Sequence, residues 1–432
     1  MAQQHPMTIA EQIIARHAGR AAVTPGEILE VEVDLVTASD LSGIMAIREL
    51  EKAGIDEVFD PERVCLIPDH LVPNRDILSA NNARGVKLFA EHHGTRYYEM
   101  GRGGIQHVLV PDEGLCAPGE LIAGGDSHTC TYGALNCFAV GIGHTDVAAV
   151  MATGELWLRV PESIRVTLEG TLGPWVSGKD VVLSLIGRIG ISGANYQVLE
   201  YGGPGLKNLT VVDRLTISNM AAESGAKTAI FAADAATEAF VRARTARPFT
   251  TVVPEPGARY AREIALDMTP IRPQVAKPFM PSNVVDVREV AGTPVDQVTI
   301  GSCTNGRIED LRVVHQILRG RQTDPRIKVI VFPGSQRVYL EAAREGIITD
   351  LIAAGCMMNP PTCGPCFGGN NGILGDGEVS LSTTNRNFVG RMGAKSAQVY
   401  LANPAVAAAT ALTGVITDPA DVAAPASAGR AS

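Results

Sequence analysis

The segment PPTCGPCFGGNNG, residues 360–372, decides how this 432-residue chain is read. Its cysteines, Cys363 and Cys366, are spaced to aim two sulfurs at one centre, and Gly368, Gly369 and Gly372 follow at once. C-G-P-C is also the tetrad of dithiol redox proteins, but such a pair needs a helix N-terminus behind it to lower a thiol pKa. The glycines predict a loop after the pair, which disfavours redox exchange. A glycine-rich loop lets backbone approach an inorganic centre and donate N–H groups to it, so metal ligation is the stronger reading.

Structural zinc usually takes four closed ligands, often as two close pairs, and a second C-x-x-C is absent from the sequence. Cys303, in IGSCTNGR just after the apolar run 298–300, supplies a third sulfur sixty residues upstream. Cys356 stays open as a fourth ligand, although its place after Ala353, Ala354 and Gly355 suits a small packed hydrophobe. Three thiolates around an iron–sulfur cube leave one iron without a protein ligand, and an open metal is what Lewis-acid catalysis requires. Such an iron can hold hydroxyl and carboxylate oxygens together. Loss of hydroxide from a hydroxy acid then needs no redox change.

A second constellation lies upstream: Asp69-His70 in IPDHLVP, His107 in GIQHV, and Asp126-Ser127-His128 in GGDSHTCT. An isolated histidine is more often structural than catalytic. Paired with a carboxylate, its tautomer is fixed and its pKa tuned for proton transfer. In NRNFVGR, Arg386 and Arg391 lie five apart in a glycine-containing turn and can clamp carboxylates bidentately; a solvated charge pair is the plain alternative. Two lookalikes fail. Gly173–Lys179 has P-loop spacing, but Asp180 stands where Ser or Thr should meet magnesium. Gly141-Ile142-Gly143-His144 lacks the third glycine of a dinucleotide fingerprint.

The net charge of -9 repels nucleic acid and anionic lipid, and eight cysteines are too few for a disulfide framework. The N-terminus has no apolar signal core. Thr8 and Glu11 instead have capping-box spacing before Ile9, Ile13 and Ile14, which predicts a first helix and a cytoplasmic protein. No apolar stretch is long and unbroken enough to span a bilayer.

Runs 31–36, 108–110, 164–168, 298–300 and 328–332 read as strands, and stretches near 43–53, 82–93, 144–158, 179–189 and 308–320 as helices. That alternation indicates an α/β fold. Pro270, Pro273, Pro278 and Pro281 crowd one stretch as a linker would. Val147-Ala148-Ala149 leading to Thr153-Gly154 echoes Val406-Ala407-Ala408 leading to Thr413-Gly414, a hint of internal relationship.

With Cys303, the C-G-P-C loop, D-S-H-T and N-R-N-F-x-G-R all present, the sequence resembles the aconitase superfamily over nearly its whole length, nearest to the large subunits of its two-subunit dehydratases. The resemblance implies three α/β/α domains, the first and third related, over 1–164, 165–280 and 281–418, with a disordered tail at 419–432. It makes Cys303, Cys363 and Cys366 the ligands of one 4Fe-4S cluster. Asp69, His70, His107, Asp126, His128 and Glu223 become acid/base and hydrogen-bonding residues, with His70 the proton donor to the leaving hydroxyl. Asn219 and Asn385 neighbour the cluster; Arg386 and Arg391 bind substrate carboxylates. The stretch holding Asn219 and Glu223 had no signal of its own beyond that of a helix.

The resemblance further implies a hydro-lyase acting on a 2- or 3-hydroxy dicarboxylate. An isopropyl side chain, as in leucine biosynthesis, is favoured over homocitrate-type or dimethyl substrates. The chain stops before the swivel domain of full-length relatives, so a serine base and further arginines are expected from a small subunit. Asn136-Cys137 departs from the family pattern and leaves Cys137 as a possible extra reactive thiol. A zinc-structured binding protein and an RNA-binding iron sensor are the readings from other classes, the latter disfavoured by the acidic balance.

Overall fold

The structure, a computed structural model, describes residues 5–424. Among the described residues, three larger sheets and one two-stranded ribbon carry the chain. The first has strands Leu35–Ala38, Val64–Leu66, Arg96–Tyr97, Leu121–Gly124 and Phe138–Gly141, all parallel, in the spatial order third, second, first, fourth, fifth. The second is also parallel: Thr228–Phe231, Val198–Gly202, Ser163–Glu169 and Arg262–Asp267. The third contains Gln297–Ile300, Lys328–Val331, Met357–Met358, Val379–Ser382 and Gln398–Ala402, parallel and in the same 3-2-1-4-5 order as the first. Helices cover these sheets, as βαβ crossovers require. The chain is thus the expected α/β protein, with the first and third units sharing one topology.

The internal echo has a structural counterpart. Helices His144–Thr153 and Pro404–Thr413 each follow the fifth strand of their sheet and end on a left-handed glycine, Gly154 or Gly414. In both, the terminal threonine hydroxyl donates back one turn, Thr153 to Ala149 O and Thr413 to Ala409 O, and accepts from the N–H two residues on. At the N-terminus, helix Ile9–His17 carries the capping box of Thr8 and Glu11.

Several elements differ from the sequence reading. Residues 108–110 are not a strand: they lie in helix Gln106–Asp112, whose first N–H donates to the Asp69 carboxylate. The stretch 144–158 splits at Gly154 into the helix above and strand Glu155–Arg159, which pairs antiparallel with Ile28–Glu32. The run 31–36 likewise breaks into two strands at Val33 and Asp34, where the Arg63 guanidinium binds the Val33 and Asp34 carbonyls. The proline-rich stretch is not a linker. Gln274–Ala276 and Val284–Asp286 form an antiparallel hairpin at the edge of the third sheet, where prolines cost no central ladder bond. That pairing attaches 274–276 to the third sheet, ahead of the boundary expected at 280. Of the tail expected to be disordered, Pro419–Asp421 forms a 3₁₀ turn beside the Arg288–Asp418 pair, and Val422 O accepts from Arg321. The remainder of that expectation, from 425 on, lies outside the described residues.

Candidate active site

In an open parallel sheet ligands bind beyond the carboxyl ends of the strands, at the point where strand order reverses. In the first and third sheets that point lies between the first and fourth strands, and loops from these carboxyl ends meet. Cys363 N donates to Asp69 O at 2.8 Å and Thr362 Oγ1 to the same oxygen at 3.1 Å. Arg307, just after Cys303, donates to His107 O at 2.9 Å and pairs with Asp112 at 3.1 Å.

The first sheet supplies carboxylates and imidazoles. Asp40, past the end of its first strand, accepts the N–H groups of Asp69, His70 and Leu71, and so fixes the loop that carries the pair. The sequence reading missed Asp40; its signal was an Asp two residues beyond a strand. His70 Nδ1 lies 2.6 Å from Asp69 Oδ1, and His70 Nε2 lies 3.4 Å from Asp126 Oδ2. The other Asp126 oxygen meets His107 Nε2 at 2.9 Å and the His128 N–H at 2.7 Å. Tyr132 OH, also missed, is 3.1 Å from His107 Nδ1, while the Asp126 carboxylate at Nε2 favours the proton on that nitrogen. His128 Nε2 meets Glu223 Oε1 at 2.9 Å, and Arg386 Nε donates to both Glu223 oxygens at 2.8 and 3.0 Å. Asp69, His70, Asp126, His107, His128, Glu223 and Arg386 thus form one connected network of carboxylates, imidazoles and a guanidinium, branching at Asp126.

At His70, Asp126, Glu223 and Arg386 burial works against charge, and the partners outweigh it. On His70, burial lowers the pKa, but Asp69 and Asp126 hold the imidazole well above its usual value. Burial would raise Asp126, yet the three histidines keep its carboxyl well below the usual range; burial would likewise raise Glu223, and His128 and Arg386 lower it.

The third sheet supplies sulfur. Cys303 follows strand Gln297–Ile300; Cys363 caps the 3₁₀ turn Gly364–Phe367, Cys366 lies within it, and the turn ends on left-handed Gly368. Asn385 ties them: its Nδ2 lies 3.2 Å from Cys303 Sγ, and its Oδ1 accepts from Cys366 Sγ at 3.5 Å. Asn219 Oδ1 accepts from Thr304 Oγ1 at 2.7 Å and from Asn385 Nδ2 at 3.3 Å. Asn219 and Glu223 sit four apart where helix Val211–Met220 runs into the turn Ala221–Ser224, so one face of the second unit reaches both clusters. Burial, reinforced by neighbouring negative charge, pushes the Cys303 and Cys363 thiols up. Sulfurs so placed become thiolates when a cation neutralises them, and three of them with amide donors alongside fit an iron–sulfur group.

The remaining candidates sort plainly. Arg391 makes no side-chain hydrogen bond to the other site residues; its buried Nε has no partner among the described residues, and its carbonyl lies against Gly368. Cys356 is packed in the apolar core of the third unit, as a small hydrophobe. Cys137 is not a reactive thiol. It is fully buried, its Sγ donates to Ala117 O, and burial raises it well above its usual value. Asn136 adopts φ 66 and binds Phe231 O and the Val252 backbone, which accounts for this departure structurally. No helix among the described residues is long and apolar enough to cross a membrane.

A model of the aconitase family (aconitate hydratase) matches residues 11–294 and 288–414. The chain is 51% identical over 417 residues to the 3-isopropylmalate dehydratase large subunit of Moorella thermoacetica, covering 96% of this chain and 99% of that one. It is 51% identical over 414 residues to the protein of the same description from Syntrophus aciditrophicus, with the same coverage. The corresponding Desulfitobacterium hafniense protein is 49% identical over 418 residues, 96% of this chain and 99% of its own.

Proposed function

The chain belongs to the aconitase family, and from that premise we propose that it is the large subunit of a 3-isopropylmalate dehydratase. This hydro-lyase interconverts 2- and 3-isopropylmalate in leucine biosynthesis. The single observation that carries the reading is the meeting of the Asp69–His70–Asp126 relay with the cysteine loop of the third sheet: Cys363 N donates to Asp69 O, and the ligand atoms of Asp69, His70 and Cys363 lie within 4.8 Å of one another. The cofactor is an iron–sulfur cluster, which we assign as one 4Fe-4S cluster per chain held by those three cysteines. When bound, it supplies an open Lewis-acidic iron for the substrate's hydroxyl and carboxylate oxygens.

The chain's own residues do the rest. His70 holds a proton at Nε2, with Asp69 fixing Nδ1, and donates it to the departing hydroxyl. Asp126 holds His70, His107 and His128 in one orientation, and Glu223 extends the relay to Arg386. Arg386 spends only its Nε on Glu223, so both Nη groups are free of protein acceptors among the described residues and suit a substrate carboxylate. The orphaned Arg391 Nε suits a second one. The base that takes the carbon-bound proton is supplied by a small subunit carrying a swivel domain, and the complex works in the cytoplasm.

Anaerobic co-expression with that small subunit tests this reading. Expected are about four iron and four sulfide per large subunit and turnover of isopropylmalate in preference to homocitrate or dimethylmalate. One zinc with no sulfide, or turnover confined to homocitrate, would overturn it.

A further inference from the structure

Helix Gly178–Ile189 covers the second sheet, and its second residue, Lys179, is fully buried. The Lys179 ammonium donates to Thr383 O at 3.0 Å and to Thr384 O. A buried charge is expensive unless it is paired. Among the described residues no carboxylate forms an ion pair with this one. Asp180, next in the chain, is turned to other work: it accepts from Gln274 N, Ser177 N and the Asn403 amide. Asp310 binds the Arg307 N–H and the Asn305 amide. Burial pushes these two carboxyls up to about 6 and about 7, which weakens both as counter-charges near neutrality.

The acceptors of the ammonium identify what it faces. Thr383 and Thr384 lead directly into Asn385, whose amide touches the Cys303 and Cys366 sulfurs. Ser302, beside Cys303, donates to the same Thr383 carbonyl at 3.4 Å, and Thr383 Oγ1 accepts from Gly301 N at 2.9 Å. Lys179 therefore clamps the reversal point of the third sheet from behind, one residue from the atoms that contact sulfur. Burial pushes Lys179 down to about 8, and the nearby Cys366 and Cys303 sulfurs, with Asp180 and Asp310, work against that fall. Three thiolates sharing an iron–sulfur core carry net negative charge, and the ammonium is the complementary charge buried beside them.

We propose that Lys179 is the buried counter-charge of the iron–sulfur group, a positioning residue that raises the group's reduction potential and slows its loss without touching substrate. The inference rests on the reading that Cys303, Cys363 and Cys366 hold such a group. Net charge and hydrogen bonding around a cluster set its potential, so removing one buried positive charge must make reduction harder.

The test compares Lys179→Gln, a neutral donor, and Lys179→Arg with the wild type in the anaerobically purified two-subunit complex. Lys179→Gln is expected to shift the cluster midpoint potential to a more negative value and to release iron in air severalfold faster, with Lys179→Arg restoring both in part. After cluster removal the order inverts: the Lys179→Gln apoprotein melts above the wild-type apoprotein, because an unpaired buried charge is gone. An unchanged potential and release rate, or a Lys179→Gln chain that folds poorly with and without cluster, would overturn the role of the lysine alone. A wild-type complex lacking iron and sulfide would instead remove the reading it rests on.

Discussion

The first and third sheets are the same scaffold put to different chemistry. Both run 3-2-1-4-5, both close with an alanine-rich helix ending Thr-Gly, and both place their candidate site residues just past the carboxyl ends of parallel strands. After its first strand one presents Asp40 and the other Cys303. After the third strand one presents His107 and the other Cys363 and Cys366; after the fourth, Asp126 and His128 answer to Asn385 and Arg386. Strand order fixes where a crevice opens, and the loops decide what it holds. Because the two crevices face each other, nitrogen and oxygen chemistry is set against sulfur without either sheet having to accommodate both.

Breaking the sulfur side should have the largest effect. Cys363→Ser is expected to abolish the brown chromophore and turnover together, measured by visible absorbance, iron content and isopropylmalate assay. Breaking the other side should separate the two readouts. His70→Gln should lower kcat by roughly 10²–10⁴-fold, the usual worth of a positioned proton donor, while iron and sulfide stay at the wild-type count. A loss of iron in His70→Gln would show that the two sides are not chemically distinct. Arg386→Lys keeps the charge but loses the fork, and should weaken substrate use by roughly tenfold to a hundredfold, read as a fall in kcat/KM.

Smaller effects sharpen the shared scaffold. Thr153→Ala and Thr413→Ala each remove the same helix-ending bonds and should cost about 1 kcal/mol in urea unfolding, leaving turnover unchanged. Thr413→Ala should cost slightly more, since Thr413 also bonds Thr417. The first unit should also show a pH-sensitive tie. His17 Nε2 lies 2.7 Å from Asp34 Oδ2. Burial opposes charge on both, but each partner outweighs it, raising His17 above 6.5 and lowering Asp34 below 3.8. The stability from His17 is complete below 6.5 and fades as pH rises through its raised value; that from Asp34 is complete above 3.8 and is lost as pH falls through its lowered value. His17→Gln should therefore lower the thermal midpoint most between about pH 4 and 6.5 and least above neutrality.

What could be read from the sequence followed how local each signal is. Cys363 and Cys366 announce themselves by spacing, and Asp69-His70 and Asp126–His128 by adjacency, because their partners are sequence neighbours. His107 was found while its element was misjudged: a Val-Leu-Val run favours a strand, and only the distant Asp69 carboxylate starts the helix there. Asp40 acts on residues 29 to 31 positions away. Lys179, seen only as part of a failed phosphate loop, meets acceptors 204 and 205 positions away. No window of sequence contains such pairs. Asn219 and Glu223 were legible only through the family resemblance, since a helix of ordinary composition carries them. The proline hairpin resembled a linker because edge strands tolerate the same residues that linkers do.

The central claim, that sulfur ligands from the third sheet face an acid/base relay from the first, is tested most directly by anomalous scattering at the iron edge from anaerobically grown crystals of the two-subunit complex. The account predicts one iron cluster bonded to Cys303, Cys363 and Cys366, with His70 turned toward it. Iron bound through other residues, or a cluster with His70 and Asp126 facing away from it, would contradict the account.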